Sequence, residues 1–216
     1  TVAVAALAAG QSVRQMSAGA GAACWISARR VPGAGNAPSR DWQMGCSDGT
    51  TTGTLVSQRP ASTRSMALWG FSATHAIASS EEGLWGSDGT AAGTALLLAA
   101  EETPGLRVSR SLGTAGRRFL FEAFDDRRGQ AIWLTDGTPA NTRLLVRDLW
   151  PSPYSGTARL GDRLFFVAAD AEHGLELWSS RGTRATTAPV ADPCPGSCSA
   201  FGDSAGPGLF PVGDRL

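Results

Sequence analysis

Lysine is absent from the 216 residues. All 19 basic residues are arginine, and they balance 19 acidic ones to a net charge of zero. A neutral chain without a basic run carries nothing that would draw it to nucleic acid, an anionic membrane or a polyanionic substrate. Histidine occurs twice, as His75 and His173, which are 98 residues apart, and tyrosine occurs once. That leaves little material for imidazole catalysis or for a histidine-rich metal site. No apolar run approaches the roughly 18–20 residues that a membrane-spanning helix needs. Long helical stripes are missing as well. In their place stand 27 glycines and 12 prolines, in a chain that is 42% hydrophobic and 18% charged. This is the profile of a folded domain with many turns and short strands, not of a disordered segment. The all-arginine basic set and the abundance of alanine fit the coding bias of a GC-rich bacterial genome.

The four cysteines are Cys24, Cys46, Cys194 and Cys198. An even number suits two disulfides in an oxidising compartment. Cys194-Pro-Gly-Ser-Cys198 would close a small loop, leaving Cys24 to pair with Cys46. A zinc site is the weaker alternative, because the usual ligand spacing and a nearby histidine are both missing. The opening Thr1-Val-Ala-Val-Ala-Ala-Leu-Ala-Ala-Gly10 has no basic leading segment. Residues 1–20 therefore read either as the remnant of an export signal or as a first strand.

Internal repetition organises the rest. One copy runs Arg117-Arg-Phe-Leu-Phe-Glu-Ala-Phe-Asp125, then Gly129, then Ile132-Trp133-Leu-Thr-Asp136-Gly137-Thr138. Another runs Asp162-Arg-Leu-Phe-Phe-Val-Ala-Ala-Asp170, then Gly174, then Leu177-Trp178-Ser-Ser-Arg181-Gly182-Thr183. In both, the aspartate precedes the tryptophan by eight residues and the glycine precedes it by four. A third copy is Gly83-Leu-Trp85-Gly-Ser-Asp88-Gly89-Thr90, followed by Gly93-Thr94. A fourth, poorer copy is Cys46-Ser-Asp48-Gly-Thr50, followed by Gly53-Thr54. The motifs recur at intervals of 40, 48 and 45 residues. Pro211-Val-Gly-Asp-Arg-Leu216 echoes Leu160-Gly-Asp-Arg-Leu164, so residues 207–216 read as the start of a further repeat. The expected segments are 21–62, 63–105, 106–155 and 156–206.

Each repeat predicts about four short strands. In the clearest copy these are Thr157–Leu160, Arg163–Ala168, Leu175–Ser179 and Thr186–Val190. Gly161-Asp162 suits a two-residue hairpin turn. Asp-Gly at 88–89 and 136–137 supplies the same turn chemistry, a carboxylate that bonds its own backbone and a glycine that takes positive φ. Leu164-Phe-Phe-Val-Ala168 is apolar on both faces, as a strand between stacked sheets should be. The expected fold is all-β: a propeller-like, incomplete array of four to five four-stranded blades. A β-sandwich and a β-solenoid are the runners-up.

The motif string resembles the ELWxxDGT-type (hyalin-like) repeats of large exported bacterial proteins. The residues that carry the likeness are Leu164-Phe-Phe-Val-Ala-Ala-Asp170, His173-Gly-Leu-Glu-Leu-Trp178, Ser87-Asp-Gly-Thr90, Gly93-Thr94 and Leu145-Val-Arg-Asp148. It covers most of 63–216 and little of 20–60. Three departures stand out: Arg181 in place of the aspartate, no Gly-Thr after Thr183, and Trp42 six residues before Asp48, not three. The resemblance implies an extracytoplasmic, propeller-like repeat protein of uncertain activity; with no catalytic constellation in the residues, the chain is expected not to be an enzyme and to have a binding or scaffold role. Its partner would be a protein or a glycan. Its edge strands would be open to self-association.

The candidate sites have plain structural readings beside the functional ones. Trp85, Trp133 and Trp178 would serve either as a sugar-stacking surface or, the preferred reading, as packing between blades. Asp48, Asp88 and Asp136 offer oxygen ligands for Ca²⁺, which wants roughly six to eight of them; turn capping is the preferred role, and Asp125, Asp126 and Asp170 share it. His173 reads as a turn residue. Glu81-Glu82 and Glu101-Glu102 read as solvated loops, without the desolvation that acid–base catalysis requires. Ala18-Gly-Ala-Gly21 lacks the Lys-Ser/Thr of a phosphate loop. Ala168-Ala-Asp170 through Gly174 and Trp178 bears a superficial likeness to the quinoprotein dehydrogenase motif, which makes a cofactor-binding propeller the alternative. A spacer for a functional domain elsewhere is a third reading.

Overall fold

The computed structural model describes residues 11–19, 22–31, 39–47, 55–58, 66–90, 92–191, 193, 195–201, 208–210 and 215. The protein is all-β: the described residues contain no α-helix, and four antiparallel sheets follow one another along the chain. Sheet 1 comprises β1 (Gln11–Gly19), β2 (Ala22–Val31), β3 (Ser39–Ser47) and β4 (Leu55–Gln58). Sheet 2 comprises β5 (Met66–Phe71), β6 (Ala76–Ser80), β7 (Gly83–Ser87) and β8 (Thr94–Ala99). Sheet 3 comprises β9 (Arg107–Ala115), β10 (Arg118–Asp125), β11 (Gly129–Thr135) and β12 (Arg143–Arg147). Sheet 4 comprises β13 (Trp150–Pro151), β14 (Thr157–Leu160), β15 (Arg163–Asp170), β16 (Gly174–Ser180) and β17 (Ala188–Pro189). Sheets 1 to 3 are simple meanders in chain order; in sheet 4, both β13 and β14 pair with β15.

The first three strands expected in the clearest repeat are present as β14, β15 and β16. The fourth is shorter than expected, because Arg184–Thr186 closes into a 3₁₀ turn before β17 begins. Residues 11–19 of the opening segment form a strand. The turn at Gly161 has the positive φ that the hairpin demands, +61°.

The chain divides into two compact units, residues 1–104 with 137–141, and residues 105–136 with 142–216. In the first unit, sheets 1 and 2 share a core. Ile26, Trp42 and Met44 from sheet 1 bury with Leu68, Phe71 and Ala78 from sheet 2. The first strands β1 and β5 meet there. The Gln15 side chain accepts a hydrogen bond from Leu68 N at 2.7 Å and donates one to Leu68 O at 2.6 Å. It thus imitates a strand partner where both ladders shift register.

In the second unit, the first strand of sheet 3, β9, lies against β14 and β15 of sheet 4. Leu120, Ile132 and Leu134 from sheet 3 bury with Leu164, Phe166 and Trp178 from sheet 4. Phe165 and Val167, on the opposite side of β15, are buried too. This two-faced burial is why that strand has no polar alternation.

Candidate functional site

The recurring polar motif forms an Asp-Gly-Thr-type turn in sheets 2 to 4 and a second, aspartate-capped turn in sheets 3 and 4, and both can be built from their residues. The first is the Asp-Gly-Thr turn that leads from the third strand to the fourth. Asp88 accepts hydrogen bonds from Thr90 N and Thr90 Oγ1, both at 2.8 Å, which folds the chain back on itself. Gly89, Gly137 and Gly182 all take positive φ, at +92°, +101° and +79°. A side chain at Gly137 would also lack space, since its Cβ would fall 2.2 Å from the His75 ring. This connection is longer than a two-residue hairpin and spans 88–93 between β7 and β8.

A chain of hydroxyls closes the turn. Gly89 N donates to Ser87 Oγ (3.1 Å), Ser87 Oγ lies 2.7 Å from Thr94 Oγ1, and Thr94 Oγ1 donates to Thr90 O (2.6 Å). Sheet 4 repeats it through Gly182 N, Ser180 Oγ, Thr187 Oγ1 and Thr183 O, with spacings of 3.0, 2.8 and 2.8 Å. In sheet 3, Thr135 Oγ1 and Thr142 Oγ1 meet at 2.7 Å. The threonine thus comes seven residues after the strand-ending Ser or Thr in each of the three sheets. That spacing was the missed signal: Thr142 and Thr187 occupy the place of Thr94 although the Gly-Thr pair is lost. Arg181 replaces the aspartate without breaking the turn. Its N–H donates to Thr186 Oγ1 at 3.3 Å, and its guanidinium pairs with Asp162 at 3.3 Å.

The second turn joins the second strand to the third. Asp125 Oδ1 accepts from Arg127 N (2.9 Å) and Arg128 N (2.7 Å). Asp170 Oδ1 accepts from Glu172 N (3.0 Å) and His173 N (2.7 Å). The basic residue three positions on returns to the same carboxylate: Arg128 to Asp125 at 3.2 Å, and His173 to Asp170 at 2.9 Å. It also covers the repeat's tryptophan. The Arg128 guanidinium lies 5.5 Å from the Trp133 ring centroid, and the His173 ring meets Trp178 edge-on at 5.9 Å. The turn aspartate, its basic partner and the tryptophan therefore form one packed unit.

These contacts set the charge states. Partial burial works to raise the Asp170 carboxyl, but hydrogen bonds from the His173 ring and from the His173 and Glu172 amides outweigh it, with the His173 charge adding to them. The carboxyl is held below its ordinary range. Asp88 is lowered in the same way. Partial burial opposes the shift, while the Thr90 amide and hydroxyl and the charge of His75 drive it.

Trp133 and Trp178 are 3% and 6% exposed, so neither offers a ring face to a ligand. Trp85 is half-buried, and its indole N–H donates to Ser80 Oγ at 3.0 Å. Asp48, Gly53-Thr54 and Cys194 lie outside the described residues, as does most of 207–216. Cys24 is bonded to Cys46 across the paired strands β2 and β3, one of the pairings the even cysteine count left open. Cys198 is disulfide-bonded as well. Among the described residues, no group of three His, Cys, Asp or Glu is placed to hold a metal ion.

Three further features were not legible in the motif. The buried Glu122 is held by Ser109, Arg110 and Gln130, and Arg110 also donates to the Ser152 carbonyl. Glu176 is buried beneath the segment around Cys198. The connection at 148–156 turns Trp150 and Tyr154 outward, 42% and 71% exposed, while Leu149 before them and Pro151 and Ser152 between them are buried. Asp148 at its head has φ +56°, the one non-glycine positive φ among the described residues. No protein-family model and no curated protein sequence matches the chain.

Proposed function

We propose that the chain is a non-catalytic, β-propeller-like repeat module of an exported protein, and that it binds a protein or glycan partner through loops held on stacked sheets. The observation that carries this reading is a packing relation that occurs in both units. Trp178 of sheet 4 lies in the core shared with sheet 3. Trp85 of sheet 2 stands cross-strand from Ala78, which lies in the core shared with sheet 1. In each pair the first strands of the two sheets are neighbours. Successive blades of a propeller stack with this relation. The resemblance to ELWxxDGT-type repeats supports the same architecture.

The engagement of the repeated polar groups supports the non-catalytic reading. The carboxylates of Asp88, Asp125 and Asp170 hold turn amides, and the hydroxyls of Ser87, Thr94, Ser180 and Thr187 bond one another and the backbone. Among the described residues, Asp88, Asp125 and Asp170 are engaged in this way and not poised as desolvated acids. The buried Cys24–Cys46 bond supports an oxidising, extracytoplasmic setting.

The recognition surface in this reading is the 148–156 connection. Its backbone is fixed by Ser152 N to Val167 O at 2.8 Å and by the Arg110 bond to Ser152, yet it displays two large aromatic rings to solvent. Rigid, outward aromatic rings suit stacking on a sugar or on an apolar protein patch. Screening the chain on a glycan array should find ligands whose affinity drops at least tenfold in Trp150→Ala/Tyr154→Ala, with the thermal midpoint unchanged. Glycan binding that survives the double substitution would remove this surface from the reading.

A further inference from the structure

Glu122 departs from the repeat at a buried position. In sheet 3, Phe121 stands opposite Trp133 and Glu122 follows it; in sheet 4, Phe166 stands opposite Trp178 and Val167 follows it. A carboxylate therefore occupies the place of a valine. It is 3% exposed, and its cross-strand neighbour Ile132 lies in the core shared by the two sheets. A buried carboxylate is costly unless it is paired and hydrogen-bonded. A buried departure of this kind from the pattern of the fold marks a place where function is served.

The partners of Glu122 come from both flanking strands. Ser109 Oγ on β9 donates to Oε2 at 3.1 Å, and Gln130 Nε2 on β11 donates to Oε1. Arg110 Nε stands 3.7 Å from Oε2. A second nitrogen of the same guanidinium donates to the Ser152 carbonyl. Ser152 is 7% exposed, gives its amide to Val167 O at 2.8 Å and accepts Tyr154 N on its hydroxyl at 3.3 Å. One line of contacts thus runs from the carboxylate inside sheet 3, through Arg110, to the main chain between Trp150 and Tyr154.

We propose that Arg110, held by Glu122, is the positioning residue of the Trp150–Tyr154 surface: it fixes the backbone at Ser152, so that both rings are in place before a partner arrives. The proposal rests on the reading of that surface as the recognition site. What anchors Ser152 also anchors Tyr154, through the bond from the Tyr154 amide. Rings that are already ordered lose less freedom on binding, which raises affinity without a new contact. The task suits arginine. Its planar fork presents donors in several directions, so one group meets a carboxylate and a carbonyl together; an ammonium is a point charge on a flexible stem.

Tyr154 is the one tyrosine of the chain, so 3-fluorotyrosine puts a single fluorine label on the surface. The test needs no ligand. In Arg110→Lys the fluorine signal should sharpen as the ring gains motion. Exchange of the Ser152 amide should accelerate roughly tenfold, the factor that one ordinary hydrogen bond is worth. The amides of β10 and β11 should keep their rates. An unchanged signal with unchanged Ser152 exchange would overturn the proposal, and so would equal acceleration in β10 and β11, which reports general loosening. If Arg110→Lys does not fold, Arg110→Met/Glu122→Gln decides by the same readouts, because it leaves no buried charge unpaired. A glycan that binds the wild-type chain through the two rings should bind Arg110→Lys several-fold more weakly, and equal affinity would also overturn the positioning role. If no glycan binds the wild type, the reading of the surface fails, while the fluorine and exchange measurements still decide on Arg110.

Discussion

Asp170 shows how much one carboxylate does in this fold. It caps its own turn and pairs with His173, which in turn packs on Trp178. Its carboxyl titrates below the usual 3.8, so folding favours the ionised form. The stability it supplies is complete above the unfolded-state value and disappears as pH falls through the lowered folded-state value. Asp170→Asn keeps an acceptor for the turn amides but loses the charge. It should cost about 1 kcal/mol or less at neutral pH, given the partial exposure of the pair. The gap from wild type should close in the acid range. Urea midpoints measured from neutral pH down to acid would show this, and a gap that stays constant would mean that the ionised carboxylate is not its source. The neighbouring Trp178 contributes more. Trp178→Ala removes an indole from the core between sheets 3 and 4 and should cost about 3–5 kcal/mol in urea unfolding. Trp150→Ala, on the outward face of β13, should stay within about 0.5 kcal/mol of wild type.

The element that defines the repeat is the turn and not the strand. The Ser180–Thr187 hydroxyl pair joins the end of β16 to the start of β17, and Ser180 is fully buried. Thr187→Val keeps the shape and removes the hydroxyl, leaving Ser180 Oγ without that partner. A loss of about 1–3 kcal/mol should follow in chemical unfolding, against almost none for Thr157→Val at an exposed position. Much of this level was readable in advance. The Phe-rich β15 announced its two-sided burial, and the Asp-Gly pairs announced positive φ. What escaped was a partner at a distance: Thr187 matters through its spacing from Ser180, not through the glycine that usually precedes it. Arg181 looked like damage to the motif, yet Thr186 takes over the bond to its amide. The basic cover over Trp133 and Trp178 escaped because Arg128 and His173 differ in residue type while sharing a geometry. Contacts outside the repeat, such as the segment at Cys198 lying against β16, have no periodic signal at all.

At the scale of the molecule, the sequence disclosed an all-β chain of repeating sheets but not how much each staple contributes. The repeat signal is weakest in sheet 1, and the Cys24–Cys46 bond lies there, across directly opposed residues of β2 and β3. Sheet 1 has no counterpart of Leu164-Phe-Phe-Val-Ala168, and a cross-link stands where sheets 3 and 4 have dense aromatic packing. The bond closes a sequence separation of 22 residues. By the chain-entropy argument, a loop of that size restricts the unfolded state by about 3 kcal/mol. Cys24→Ala/Cys46→Ala should therefore lose about that much stability in the first unit. Hydrogen exchange should accelerate in β2, β3, β5 and β6, the strands whose residues share the core with the two cysteines, and stay slow in β10 and β15. Uniform acceleration across all four sheets would mean that the disulfide supports more than the core in which it is buried. No change in β5 and β6 would mean that sheet 2 holds its shape without sheet 1.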